Sequence, residues 1–139
     1  MESLGYEICY TARKIYKFMT KAFESYDITP EQFILLNLLS EKEGVSQMDL
    51  ALGLDKDKNT VKAMVDNLEK KDYLEKRENP SDKRAYSLYL TEKAKITIPQ
   101  IKVYEDEYSK KIVSILSLEE KACIENILKK ICKEISDSK

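Results

Sequence analysis

Residues 55–94 read DKDKNTVKAMVDNLEKKDYLEKRENPSDKRAYSLYLTEKA, and a change of period inside this stretch decides the fold. Val61, Met64, Val65 and Leu68 recur at helical spacing behind Asp57, a good N-cap, and predict a helix to about Lys71. Beyond Lys71 the period becomes two. Tyr73–Arg77 is strand-like, Asn79-Pro80-Ser81-Asp82 is turn chemistry, and Tyr86, Leu88 and Leu90 alternate with Ala85, Ser87 and Tyr89. Two strands around a polar loop, behind a helix, make a hairpin of the kind called a wing.

Upstream, Thr29 before Pro30 caps a strongly apolar helix containing Phe33, Leu35, Leu36, Leu38 and Leu39, which stops near Glu43-Gly44. Ser46 with Asp49 opens a second short helix, with Gly53 at a plausible position just past its end. Three short helices in succession have the spacing of a helix-turn-helix pair behind a support helix. Before them, Leu4 to Tyr26 carries Ile8, Ala12, Ile15, Met19 and Phe23 on one helical face. After them, Thr91 caps a long helix to about Leu116 with Pro99 inside it, and Ser117-Leu118-Glu119-Glu120 is a full capping box for a last helix. The expected class is mainly α with a small β wing: a winged helix-turn-helix domain over residues 29–91, and a helical region formed from both chain ends, 1–28 and 92–139.

The apolar stripes of those end helices must meet something, because isolated amphipathic helices are unstable in water. A second copy completing a bundle is the simplest solution, with Ile8, Ile15, Ile112, Ile115, Ile124, Ile127 and Ile131 as the dimerisation residues. A monomeric bundle with the stripes paired internally is the alternative.

Composition excludes several chemistries. The chain contains no histidine, so no Ser-His-Asp triad, Cys-His dyad or His-ligated metal site can form. Cys9, Cys123 and Cys132 show no C-x-x-C spacing and suit a reducing compartment. With no glycine-rich phosphate loop either, neither an enzyme nor a cofactor or metal is expected. No signal-peptide start and no membrane-length apolar run are present, so a cytoplasmic protein without membrane contact is expected.

The polar face of the helix after Asp57 carries Lys58, Asn59, Thr60, Lys62 and Ala63. This chemistry suits a major groove: lysine for phosphate or guanine, asparagine for adenine, and a threonine or alanine methyl for the thymine methyl. Ser46 and Gln47, at the start of the preceding helix, and Asn67 join them as DNA-contact candidates. Asp66 is an objection on this face, answered by pairing with Lys62 or Lys70 four residues away. In the wing loop, Lys83 and Arg84 follow Asp82, whose carboxylate can aim the guanidinium toward a minor groove. A solvated helix face and a loop kept soluble by its charges are the bland readings of the same residues.

Thr60-Val61, the run Val65–Lys71, Leu74–Arg77, Asn79–Arg84 and Leu88–Lys93 together resemble the MarR family of bacterial transcriptional regulators. The helix order outside this stretch agrees, so the resemblance covers nearly the whole chain. It implies an obligate homodimer on double-stranded operator DNA, with the helix after Asp57 in the major groove and Arg84 in the minor groove. It also implies a small aromatic effector, for which Tyr10, Tyr16, Tyr104 and Tyr108 are the pocket candidates; each is equally an ordinary core or interface residue. The family usually has arginine at Ala63, often arginine at Asn67 and glycine at Asp72 and Ala94, so a shift toward A·T-containing half-sites is expected. Thiol sensing at Cys9, as in some relatives, is a further alternative, although no histidine is available to lower its pKa.

The leading expectation is a repressor of a pseudo-palindrome released by its ligand, and the runner-up is a winged-helix protein–protein interaction module without an operator. Net charge is −1 overall, but residues 55–95 carry 11 basic against 9 acidic side chains. The small positive excess falls on the reading helix and wing, which predicts weak non-specific affinity and a modest salt slope.

Overall fold

In the computed structural model, residues 3–137 are described, with Asp82, Lys83 and Arg84 described as backbone only. The element order is α1 (Leu4–Thr20), a 3-10 turn (Glu24–Tyr26), α2 (Pro30–Glu41), α3 (Gln47–Leu54), α4 (Lys58–Lys70), β1 (Leu74–Asn79), β2 (Asp82–Leu90), α5 (Glu92–Val113) and α6 (Leu118–Asp137). Two compact units divide the chain, Met1–Glu105 and Asp106–Lys139.

Helix starts follow the local side-chain chemistry. The Thr29 hydroxyl accepts from the Gln32 amide at 3.1 Å while Gln32 Oε1 accepts from the Thr29 amide at 3.0 Å, with Pro30 at the first helical position. Ser46 and Asp49 make the same reciprocal box at 3.1 Å in both directions, and Ser117 and Glu120 repeat it ahead of α6. Asp57 caps α4 with both oxygens, one on the Thr60 amide at 2.8 Å and one on its hydroxyl at 2.9 Å.

Helix ends differ more from expectation. The first segment is not one helix to Tyr26: α1 stops at Thr20, whose hydroxyl donates back to the Tyr16 carbonyl at 2.6 Å, and a 3-10 turn follows. Gly53 does not lie past the end of α3 but in its last turn, because Asp55 takes the left-handed terminal conformation at φ 52°. A Cβ on Gly53 would stand 2.8 Å from Leu38 Cδ2, so what it provides is a close approach to α2. Asp27 and Asp72 also adopt positive φ, at 55° and 65°. In a glycine-poor chain, aspartate takes the left-handed positions that a short polar side chain tolerates. The long helix ends at Val113 rather than near Leu116.

The core of the first unit is built on Phe23, Leu35, Leu36, Leu39, Leu50, Val61, Val65, Leu68, Leu74, Leu88 and Ile101, all essentially inaccessible. Burying each such side chain contributes about 1.5–3 kcal/mol relative to leaving it exposed. The Phe23 and Phe33 rings tilt against each other with centroids 5.2 Å apart. β1 and β2 are antiparallel, with Leu74 opposite Leu90 and Lys76 opposite Leu88. The loop between α2 and α3 adds an isolated bridge to this ribbon: the Gly44 amide donates to the Leu88 carbonyl at 2.8 Å, and the Leu88 amide donates to the Val45 carbonyl at 2.9 Å. Gly44 reaches this position at φ +84°, and a Cβ there would stand 3.0 Å from the Tyr89 hydroxyl.

In the second unit, α6 has no buried residue, and Ile124, Ile127, Leu128 and Ile135 of its stripe are exposed. α1 in the first unit likewise buries none of its residues. Among the described residues no helix is long and apolar enough to cross a membrane.

Gly44→Ala should lower unfolding stability by about 1–2 kcal/mol, since alanine must hold a left-handed conformation. Urea unfolding measures this; an unchanged midpoint would show that the loop bridge tolerates another backbone path.

Candidate nucleic-acid interface

The starts of α3 and α4 and the middle of β2 enclose a groove of about 490 Å³, lined by Ser46, Gln47, Met48, Lys58, Asn59, Lys62, Ala85 and Tyr86. Five of the expected DNA-contact residues, Ser46, Gln47, Lys58, Asn59 and Lys62, therefore meet in one place. Gln47 and Lys58 are the first residues of their helices, where unsatisfied amides carry partial positive charge. That charge is moderated by the capping carboxylates: Asp49 and Asp57 are held below the usual aspartate range by hydrogen bonds from Ser46 and Thr60 respectively.

Thr60 and Ala63 are exposed on α4 outside the groove lining. The Thr60 hydroxyl is engaged on Asp57. Asn67 is tied elsewhere: its Oδ1 accepts from Gln32 Nε2 at 2.7 Å, joining α4 to α2. The side chains of Asp82, Lys83 and Arg84 lie outside the described residues, so the expected aiming of Arg84 by Asp82 does too.

Sequence reading missed Met48, Ala85 and Tyr86. Tyr86 is in phase with the buried Leu88 and Leu90, yet it is 43% exposed because the strand has run past the core into the groove. The signal available was its place in the alternation, two residues from the wing loop. Gln47 Oε1 is buried and accepts no hydrogen bond from the described residues.

Asp66 pairs with Lys62, one of its two expected partners, and with a second partner that was not expected. Its partners are Lys62, at 3.1 Å, and Lys76 of β1, at 2.6 Å; Lys70 is not among them. Lys76 also reaches Glu69 at 3.5 Å and stands 5.9 Å from the Tyr86 ring centroid. Hydrogen bonds from Lys76 first and Lys62 second hold the Asp66 carboxyl below its usual range, and the bond to Asp66 raises the Lys76 ammonium. A depressed carboxylate contributes above its unfolded pKa and loses that contribution as pH falls through its folded value; a raised lysine loses its contribution only as pH climbs past its own. The pair is therefore intact at neutral pH, and partial exposure keeps its contribution to stability small.

On the other side of the ribbon, Arg77 donates twice to Glu75 Oε1, at 2.6 and 2.9 Å, and lies 3.8 Å from the Tyr89 ring centroid. This scarce arginine is held by neighbours on the strands.

A second concavity in the first unit, about 370 Å³, is lined by apolar residues including Ile15, Met19, Phe23, Phe33 and Ile34, with Tyr16 and Glu105 at its edge. Burial first, and the Glu31 charge second, raise the Tyr16 hydroxyl above its usual pKa. The other pocket candidates are elsewhere: Tyr10 lines a basic groove with Arg13, Lys14, Lys17 and Lys21, the Tyr104 ring lies 6.5 Å from that of Tyr26, and Tyr108, in the second unit, lies beneath Lys111. Cys9, Cys123 and Cys132 are free and exposed.

A model of the MarR family matches residues 26–85, the span of the three short helices and most of the wing. The regulator BilQ of Clostridioides difficile is 29% identical over 101 residues, covering 73% of this chain and 68% of that protein. The regulator MgrA of Staphylococcus aureus is 23% identical over 139 residues, 99% of this chain and 93% of its own. Among solved structures, the S. aureus MepR–DNA complex superposes with a TM-score of 0.89 at 25% identity, covering 96% of this chain and 99% of that one. The repressor CouR bound to a 23-mer DNA duplex gives 0.86 at 25% identity, covering 94% and 93%. Helix order and wing agree with these matches: residues 26–85 match the MarR family, whose members are winged-helix transcriptional regulators and not enzymes, and the fold is that of the DNA-bound regulators above.

Proposed function

We propose that this chain is a dimeric, sequence-specific DNA-binding regulator that represses from a pseudo-palindromic operator and is released by a small aromatic ligand. The observation that carries the reading is the groove at the starts of α3 and α4, where Lys58, Asn59 and Lys62 stand beside the apolar Met48 and Tyr86. In this reading α4 enters the major groove, Ser46 and Gln47 approach from α3, and Arg84 on the wing enters the neighbouring minor groove. The lysines supply phosphate contacts, Asn59 can pair two-fold with adenine, and the apolar members suit thymine methyls.

Residues 29–91 form the reading domain, and 1–28 with 92–139 form the dimerisation region. The exposed stripe of α6 supports this assignment, since an apolar stripe of four turns left in water is a liability that a second copy removes. The cavity beside Tyr16 suits an aromatic effector. Such a ligand acts only by preferring one spacing of the two reading helices over another.

Selection from a random DNA pool should recover a two-fold related site with half-site centres about one helical turn apart, 10–10.5 base pairs. No enrichment would favour the protein–protein interaction module instead. Asn59→Ala should cost about 1–3 kcal/mol and relax preference at one position, whereas Lys58→Ala should weaken all sequences alike and reduce the salt slope by about one. Arg84→Ala should weaken specific binding by about 1–3 kcal/mol; unchanged operator affinity with an intact fold would refute the wing contact. Replacing Ile127 and Ile131 together by aspartate should give a monomer in sedimentation and abolish operator binding, and a dimer that survives both changes would move the interface elsewhere.

A further inference from the structure

The acid on the reading helix poses a physical question. Asp66 stands on the α4 face opposite the buried Val61, Val65 and Leu68, one turn beyond Lys62, where a carboxylate repels DNA phosphates. Both of its oxygens are occupied: Oδ1 by Lys76 of β1 and Oδ2 by Lys62. Among the described residues, the hydrogen bonds and ion pairs joining α4 side chains to the wing all run through Lys76, to Asp66 and to Glu69. Lys76 is directly opposite Leu88 in the ribbon, and its ammonium lies beside the ring of Tyr86, a wall of the groove.

We infer that Asp66 is a positioning residue: through Lys76 it sets where the wing stands relative to the reading helix, and so the separation along the duplex between major-groove and minor-groove contacts. This rests on the DNA-binding reading above. A pair this exposed adds little to stability. Its geometry is nevertheless specific. A single carboxylate bridges a side chain that faces the groove and a strand that leads to the wing tip. Without it, β1 keeps its apolar seat under Leu74 and Leu88 and the backbone bond from the Tyr73 amide to the Leu68 carbonyl, but among the described residues Glu69 is the one remaining α4 side chain with a polar contact to the ribbon. Removing the acid therefore has two opposed consequences. Electrostatics alone predicts tighter DNA binding, because one negative charge leaves the surface and Lys62 is freed. Loss of positioning predicts weaker binding.

The test is Asp66→Asn and Lys76→Met, with Lys76→Arg as the conservative variant, on the full chain and its selected operator. Affinity is measured alongside hydroxyl-radical protection of the DNA. Asp66→Asn and Lys76→Met should each weaken binding about tenfold or more and lose the outer minor-groove protection while retaining the major-groove protection. Lys76→Arg should restore both, and thermal midpoints should stay close to wild type. Tighter binding by Asp66→Asn, or a full wing footprint in Lys76→Met, would overturn the inference. A wild-type chain that selects no DNA sequence would instead sink the DNA-binding reading. The tether is then read without DNA, by amide hydrogen exchange. Faster exchange confined to β1 and β2 in Lys76→Met supports it, and unchanged exchange there overturns it.

Discussion

Everything at the groove depends on two backbone hydrogen bonds, from Gly44 to Leu88 and from Leu88 to Val45. They convert a loop between two helices into a third, one-residue strand of the ribbon. Because Ser46 follows immediately and caps α3, the start of that helix is fixed against β2, and Gln47 and Met48 face Ala85 and Tyr86 across the groove. Glu43 strengthens the same seam by accepting from the Leu90 amide at 2.8 Å. Its cost is a left-handed backbone at Gly44, which only glycine adopts without penalty. The helix-turn-helix is thus positioned by the wing as much as by its own core.

What the sequence revealed and what it hid divide along a physical line. Capping at Thr29, Ser46, Asp57 and Ser117 was legible because each bond spans three residues, and the residue types at those positions determine it. The change from helical to alternating period was legible because burial imposes it on every residue of an element. The role of Gly53 was not, because it is defined by Leu38, on another helix. Nor was the choice of Lys76 over Lys70 as partner of Asp66. Lys70 satisfies the helical spacing rule, but Lys76 is brought there by a strand whose direction no local pattern specifies. In the site itself, the polar members of the groove were read from α4 and α3, while its apolar wall was not: Tyr86 belongs to a pattern that elsewhere in β2 means core.

The same distinction explains how a nearly neutral chain can present lysines at the groove proposed to face DNA. Its acids are spent on architecture: Asp49 and Asp57 on caps, Glu75 on Arg77, Glu43 on the ribbon, Asp66 and Glu69 on Lys76. Lys58, by contrast, is exposed at the start of α4, and Lys62 has its ammonium against a single carboxylate on the same helix. An ion pair of that kind exchanges partners at little cost, so a phosphate can compete for the lysine. Net charge counts all these groups alike and therefore understates what the groove offers.

The residues of the groove also constrain what it can read. Where relatives commonly carry arginine, Ala63 presents a methyl group and Asn67 is committed to Gln32. Neither position offers guanine the two-donor fork of an arginine: alanine has no side-chain donor, and asparagine has a single amide nitrogen. The groove keeps Asn59, the Gln47 amide and the apolar surfaces of Met48, Ala85 and Tyr86. In the DNA-binding reading proposed above, the apolar wall suits a thymine methyl. In that reading, specificity comes from Asn59 and this apolar wall, with the lysines setting affinity around them.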